Sequence, residues 1–232
     1  MAKEKRRSSK KRKALWWIVF LAAVAVFLVS GYQLVSVLME YKAAENEYED
    51  LEIYAELPSK SKGAKENPAQ ETQEDEGPVI DFASLKAVNE DVVGWLYVEA
   101  LDINYPIMQG EDNDYYLHRT TEETYNFAGS IFLDYANKGD FSDCNSIVYG
   151  HNMKDGSMFG RLKQFREKDV YGKSMYFWVC TTEKNYKYQI FSAYETAVGS
   201  DTYLLFDKPG TEFLEYMTDM KKLSEIPVGE YE

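Results

Sequence analysis

The longest apolar stretch lies near the start of the chain. Residues 14–39 carry no charged side chain, and Leu15-Trp-Trp-Ile-Val-Phe-Leu-Ala-Ala-Val-Ala-Val-Phe-Leu-Val29 forms its core. A run longer than the ~20 residues needed to cross a bilayer predicts a transmembrane helix over 14–39. The apolar core of a cleaved signal is usually only about 7–15 residues and ends in a small-x-small site, whereas this run is longer and no convincing site follows it. Leu34, Val37, Tyr41, Ala44, Tyr48, Leu51 and Ala55 then recur at alternating steps of three and four, the spacing of one apolar helix seam. This predicts a helical stalk over 40–57. Tyr and Ala are poor seam residues for a coiled coil, so a solitary stalk and a paired one both remain open. Residues 58–78, mostly Lys, Glu, Gln, Ser and Pro, offer little to bury and predict a disordered linker.

Residues 79–232 form one block, long enough for a single core. Asp81 precedes apolar positions Phe82, Leu85 and Val88 and reads as the N-cap of a short helix. Short β-branched or aromatic runs follow at 92–98, 105–108, 129–133, 146–149, 175–179 and 186–194, each broken by turn residues. In the last, Tyr186, Tyr188 and Ile190 alternate with Lys187 and Gln189, as in a strand with one wet face. Residues 158–168 and 211–222 have helical spacing, the second with Phe213, Leu214, Met217 and Met220 on one side. The pattern predicts a mainly β domain with short connecting helices.

Charge refines this picture at the N-terminus. Residues 1–13 hold eight Lys or Arg against Glu4, whereas the whole chain is −13. A basic tail before an apolar span predicts a cytoplasmic N-terminus and an external domain. Attraction to anionic lipid accounts for the tail, and the acidic remainder argues against nucleic acid as a partner.

The residue with the clearest chemical setting is His151, in Asn145-Ser-Ile-Val-Tyr-Gly-His-Asn-Met153. A β-rich run stiffens the approach, Gly150 allows a tight turn, and an imidazole is delivered at a strand end. Imidazole exchanges protons near neutral pH, so His151 is a candidate base, although a satisfied structural histidine fits the same spacing. Two cysteines, Cys144 and Cys180, allow a disulfide but give no spacing framework. Cys144 precedes His151 by seven residues in extended-looking chain, and Cys180 ends an aromatic strand where a buried, inert thiol is expected. Gly110-Glu-Asp-Asn-Asp114 lacks the ligands of a calcium loop and reads as a solvated turn. His118 has no second ligand at metal spacing, Ser157 lacks a nucleophile-elbow pattern, and there is no phosphate-binding glycine loop. No cofactor or metal is expected.

Taken together, Val93-Gly-Trp-Leu-Tyr97, Asn104-Tyr-Pro-Ile-Met-Gln-Gly110, Asp112-Asn-Asp-Tyr-Tyr-Leu117, Ala128-Gly-Ser-Ile-Phe-Leu-Asp134, Asn145 to Phe159 and Tyr188-Gln-Ile-Phe-Ser-Ala-Tyr194 resemble a class B sortase. The resemblance covers residues 79 to about 226. It implies a sortase-type β-barrel, a membrane anchor of Gram-positive type, and a cysteine transpeptidase. Such an enzyme cleaves an Asn-Pro-x-Thr-Asn-like sorting signal after Thr and passes the protein to a cell-wall amine. It implies that His151 is the catalytic histidine and that Met108, Tyr203 and Leu204 line the substrate groove, although Tyr203 and Leu204 fit core packing equally well. The family's nucleophilic Cys lies in a Thr-Leu-x-Thr-Cys-like strand, with an Arg on the next strand, and neither has a counterpart here. The expectation is therefore a barrel incomplete at the C-terminus and a chain inactive as supplied. The alternatives are an inactive remnant or peptide-binding module, and a peptidase that uses Cys180.

Overall fold

The computed structural model describes residues 2–58, 77–206 and 208–227. It divides into two units, residues 1–43 and 44–232. The first unit is most of one helix, α1 (Ala2–Leu51). It is long and apolar enough to cross a membrane. Leu15, Trp16, Phe20, Phe27 and Leu34 along it are all exposed, as apolar side chains are when lipid is their solvent.

In the second unit α1 ends in a 3₁₀ turn, and β1 (Ala55–Glu56) pairs antiparallel with β2 (Val79–Ile80). The expected helix over 40–57 therefore stops at Leu51. Its seam residues Ala44, Tyr48 and Leu51 are buried, and the Tyr48 hydroxyl donates to the Gly129 carbonyl at 2.7 Å. The C-terminal part of the seam thus packs on its own domain. The expected linker lies largely outside the described residues. Its last residue, Pro78, is buried and its carbonyl accepts from the Asn185 side chain at 2.9 Å.

Helix α2 (Phe82–Val88) is capped by Asp81, which accepts from the Ser84 amide. The main sheet comprises β3 (Val92–Val98), β4 (Ile103–Met108), β5 (Ile131–Leu133), β6 (Val148–Tyr149), β7 (Tyr176–Cys180) and β8 (Asn185–Gln189). Their spatial order is β6-β5-β4-β3-β7-β8. Central β3 is buried along nearly its whole length, which is why its sequence is almost continuously apolar. Terminal β8 alternates exposed and half-buried positions, as its Tyr/Lys alternation predicts.

Two expected elements differ. The strand over 186–194 stops at Gln189, because the chain beyond it bonds elsewhere: the Ala193 carbonyl accepts from the Glu225 amide and its own amide reaches Ser224 Oγ. The helix expected over 158–168 is a 3₁₀ turn, Leu162–Arg166, then the short α3 (Lys168–Tyr171). Met158 has φ of +49° and Glu167 is extended, and both conformations interrupt an α-helix. Helix α4 (Thr211–Lys222) forms as expected.

All sheet pairings are antiparallel except β4 with β5, which is parallel. A parallel neighbour cannot be reached by a hairpin, so the chain must cross over. Residues 109–130 make that crossover, and they bring a loop wall to the end of β6 where His151 sits.

Candidate active site

Gly150 links β6 to His151 where only glycine fits. A Cβ there would lie 2.4 Å from Ile131 Cδ1 and 2.9 Å from the Phe159 ring. The chain is then held in place as the Phe159 amide donates to the His151 carbonyl and Asn152 bridges to Met158. These contacts fix the backbone from which the imidazole projects.

The ring itself is held by the crossover. His151 Nε2 lies 2.8 Å from the Leu117 carbonyl oxygen. A carbonyl can only accept, so Nε2 carries hydrogen and Nδ1 is the atom left for proton exchange. His118 stacks on His151 at 5.3 Å between centroids and 24° between planes, and Phe127 stacks at 5.4 Å and 23°. The 3₁₀ turn Tyr116–His118 that carries these groups is pinned in turn. The Ser130 amide donates to the Tyr116 carbonyl, and the Asn126 amide donates to that of His118. Ser130 Oγ donates to the Arg119 carbonyl at 2.7 Å.

A second polar group lies across β5 and β6. The buried Asp134 carboxylate accepts from Tyr149 Oη and from Asn113 Nδ2, each at 2.9 Å. Burial, then the Asp134 carboxylate, push the Tyr149 phenol above its ordinary range, so it stays a neutral donor. The Tyr149 ring lies nearly parallel to Tyr203, at 6.3 Å and 15°. Asn145 Nδ2 donates to the Leu204 carbonyl at 2.7 Å. The segment before β6 therefore holds the segment carrying Tyr203 and Leu204, which are 41% and 47% exposed.

Residues 96–218 match the model of the sortase domain. Sortase B of Listeria monocytogenes is 36% identical over 207 residues, spanning 88% of this chain and 79% of that protein. Sortase B of Staphylococcus aureus is 30% identical over 218 residues, spanning 93% and 84%. The chain belongs to the sortase family. Its fold agrees: the structure of sortase B from B. anthracis in complex with AAEK1 superposes with a TM-score of 0.63 at 27% identity, covering 84% of this chain and 86% of that one. A Staphylococcus aureus sortase B-substrate complex superposes at 0.61 with 29% identity, covering 65% and 69%. Class B sortases are thus its relatives in both sequence and structure, and sortases are cysteine transpeptidases.

Against that chemistry, one of the two cysteines of this sortase, Cys180, is placed unhelpfully. Both are free thiols. Cys180 is fully buried, its Sγ directed at the Pro78 carbonyl, and burial pushes its thiol up to about 12. It lies on β7, four strand spacings from β6, or roughly 19 Å along the sheet. Among the described residues neither thiol makes a hydrogen bond with His151.

Met108 is fully buried at the end of β4, where it pairs with Phe132, whereas Tyr203 and Leu204 face solvent. Sequence reasoning did not assign Leu117, His118, Phe127 or Asp134 to the site. The Asp112–Leu117 and Ala128–Asp134 blocks contained two of these residues, Leu117 and Asp134, with His118 and Phe127 just outside, but only the crossover brings them to His151 and Tyr149. Asp112 itself accepts from the amides of Asp114 and Tyr115, as expected of a turn.

Proposed function

We propose that His151 is the proton-transferring histidine of a membrane-anchored class B sortase reaction. In that reaction a thiolate attacks the Thr carbonyl of an Asn-Pro-x-Thr-Asn-like signal. His151 Nδ1 takes the thiol proton, the resulting imidazolium gives it to the leaving amine as the Thr–Asn bond breaks, and a cell-wall amine then attacks the thioacyl intermediate, losing its proton to Nδ1 as the thiolate departs. The observation that carries this reading is the Leu117 carbonyl against Nε2, which orients Nδ1 for exchange. Tyr203 and Leu204 meet the signal as exposed apolar surface, and Met108 backs the groove from beneath. The N-terminus is cytoplasmic and the domain external, in keeping with the basic tail and the long apolar helix. In this reading the 232-residue chain by itself binds the signal without cleaving it, in keeping with a Cys180 thiol that is buried on β7, away from β6.

A fluorogenic Asn-Pro-x-Thr-Asn peptide tests this reading with the 232-residue chain. Saturable binding without cleavage is expected, and Tyr203→Ala should weaken it about tenfold. Cleavage that vanishes in Cys180→Ala would instead favour the peptidase that uses Cys180. Absence of binding would remove the groove assignment.

A further inference from the structure

The only two histidines of the chain, His118 and His151, lie with their rings nearly parallel and offset, the centroids 5.3 Å apart and the planes at 24°. We propose that His118 is a positioning residue for His151: its ring is the floor that keeps the second imidazole flat against the crossover wall, with Nε2–H on the Leu117 carbonyl and Nδ1 turned outward. This inference rests on the reading of His151 given above.

The geometry supports it in three ways. The acceptor and the floor come from consecutive residues, Leu117 and His118, of one 3₁₀ turn. A ring lying flat on His118 is thereby also brought to the carbonyl, and a ring that tilts off it loses the hydrogen bond. Phe127 stacks on both imidazoles, at 5.9 Å from His118 and 5.4 Å from His151, so the three rings limit each other's rotation. Tyr125 closes the outer side of His118 at 6.1 Å. Finally, among the described residues His151 has only one side-chain hydrogen bond, to Leu117. One bond leaves rotation about its own axis free, and stacked faces are what remain to stop it. The tautomer of an imidazole is set by the hydrogen bond one of its nitrogens makes; here that bond is Nε2–H to the Leu117 carbonyl, and the floor holds the ring where the bond can form while leaving Nδ1 open.

His118 brings no charge partner of its own. Its Nδ1 is buried without a hydrogen bond, and no ion pair joins either imidazole to a carboxylate among the described residues. Arg119, next in the chain, is folded over the Tyr115 ring at 4.4 Å. The floor therefore acts through its flat face, and a phenyl ring can replace it.

The test uses the full chain in lipid nanodiscs with ring-¹⁵N-labelled histidine, at alkaline pH where imidazoles are neutral. A fixed tautomer gives His151 two widely separated nitrogen resonances, and an averaged one gives them merged. His118→Phe should keep His151 in the separated Nε2–H pattern. His118→Leu, which fills the volume without a flat face, should merge the pattern, as should His118→Ala. An unchanged pattern in His118→Leu, or a merged one in His118→Phe with the thermal transition intact, overturns the proposal. No turnover is read, so the outcome is independent of whether His151→Ala abolishes transpeptidation.

Discussion

The Leu117 carbonyl oxygen lies 2.8 Å from His151 Nε2, and residues 109–130 bring it there only because β4 and β5 are parallel neighbours. The catalytic proposal thus depends on a topological feature. The crossover needed to join parallel strands is also the wall that orients the imidazole, and the same wall is fastened to the end of α1 through Tyr48.

Tyr48 is the first place to test that fastening. Its buried hydroxyl donates to the Gly129 carbonyl and sits 3.3 Å from Ser130 Oγ, which in turn donates to Arg119. Tyr48→Phe keeps the ring but leaves a buried carbonyl without its donor, and should lower stability by about 1–3 kcal/mol. Urea unfolding of the full chain in nanodiscs checks this. An unchanged midpoint would mean that the end of α1 does not brace the wall.

Asp134 holds two groups together. Tyr149→Phe removes one of its hydrogen bonds and should cost about 1–2 kcal/mol, whereas Asp134→Ala strands both the Tyr149 hydroxyl and the Asn113 amide and should cost about 2–4 kcal/mol. Thermal melts of the two variants and their double mutant give the comparison. Costs that simply add would show that Tyr149 and Asp134 act separately.

Asp143 provides a pH signature for the loop before β6. Burial alone would raise its carboxyl, but the Lys138 amide at 2.6 Å, the Asn137 side chain and the Lys138 ammonium outweigh burial and hold it below the usual range. A depressed carboxyl contributes stability above its unfolded titration and loses it as pH falls through its folded one. Asp143→Asn should therefore be about 1–2 kcal/mol less stable than the parent near pH 7, with the gap closing below about pH 4. Urea titrations across this range measure it, and a gap that ignores pH would contradict the assignment.

The sequence made some of this legible and left the rest hidden, for physical reasons. Strand β3 and helix α4 could be read directly, because a continuous apolar run reflects burial along β3 and three- and four-residue spacing reflects the helical repeat of α4, of whose stripe only Met220 is buried. The His151 approach was legible too, since the need for Gly150 follows from neighbours that any tight strand end creates. The stack of His118 and Phe127 on His151 was not, because those rings come from a crossover more than twenty residues away along the chain and no local pattern encodes their meeting. The strand expected over 186–194 ran too far for a similar reason: Ala193 has strand-like neighbours in sequence but takes its hydrogen bonds from the segment after α4. Ala55–Glu56 was read as helix because Ala55 continues the seam, yet pairing with Val79–Ile80 outweighs that weak preference.

The most direct measurement is transpeptidation of an Asn-Pro-x-Thr-Asn peptide onto an amine acceptor by the native protein recovered from its own membrane, with His151→Ala beside it. The account predicts a loss of at least about a hundredfold in kcat/KM, as expected when a positioned proton donor is removed, with the thermal transition within a few degrees of the parent. Turnover retained in His151→Ala would contradict the account.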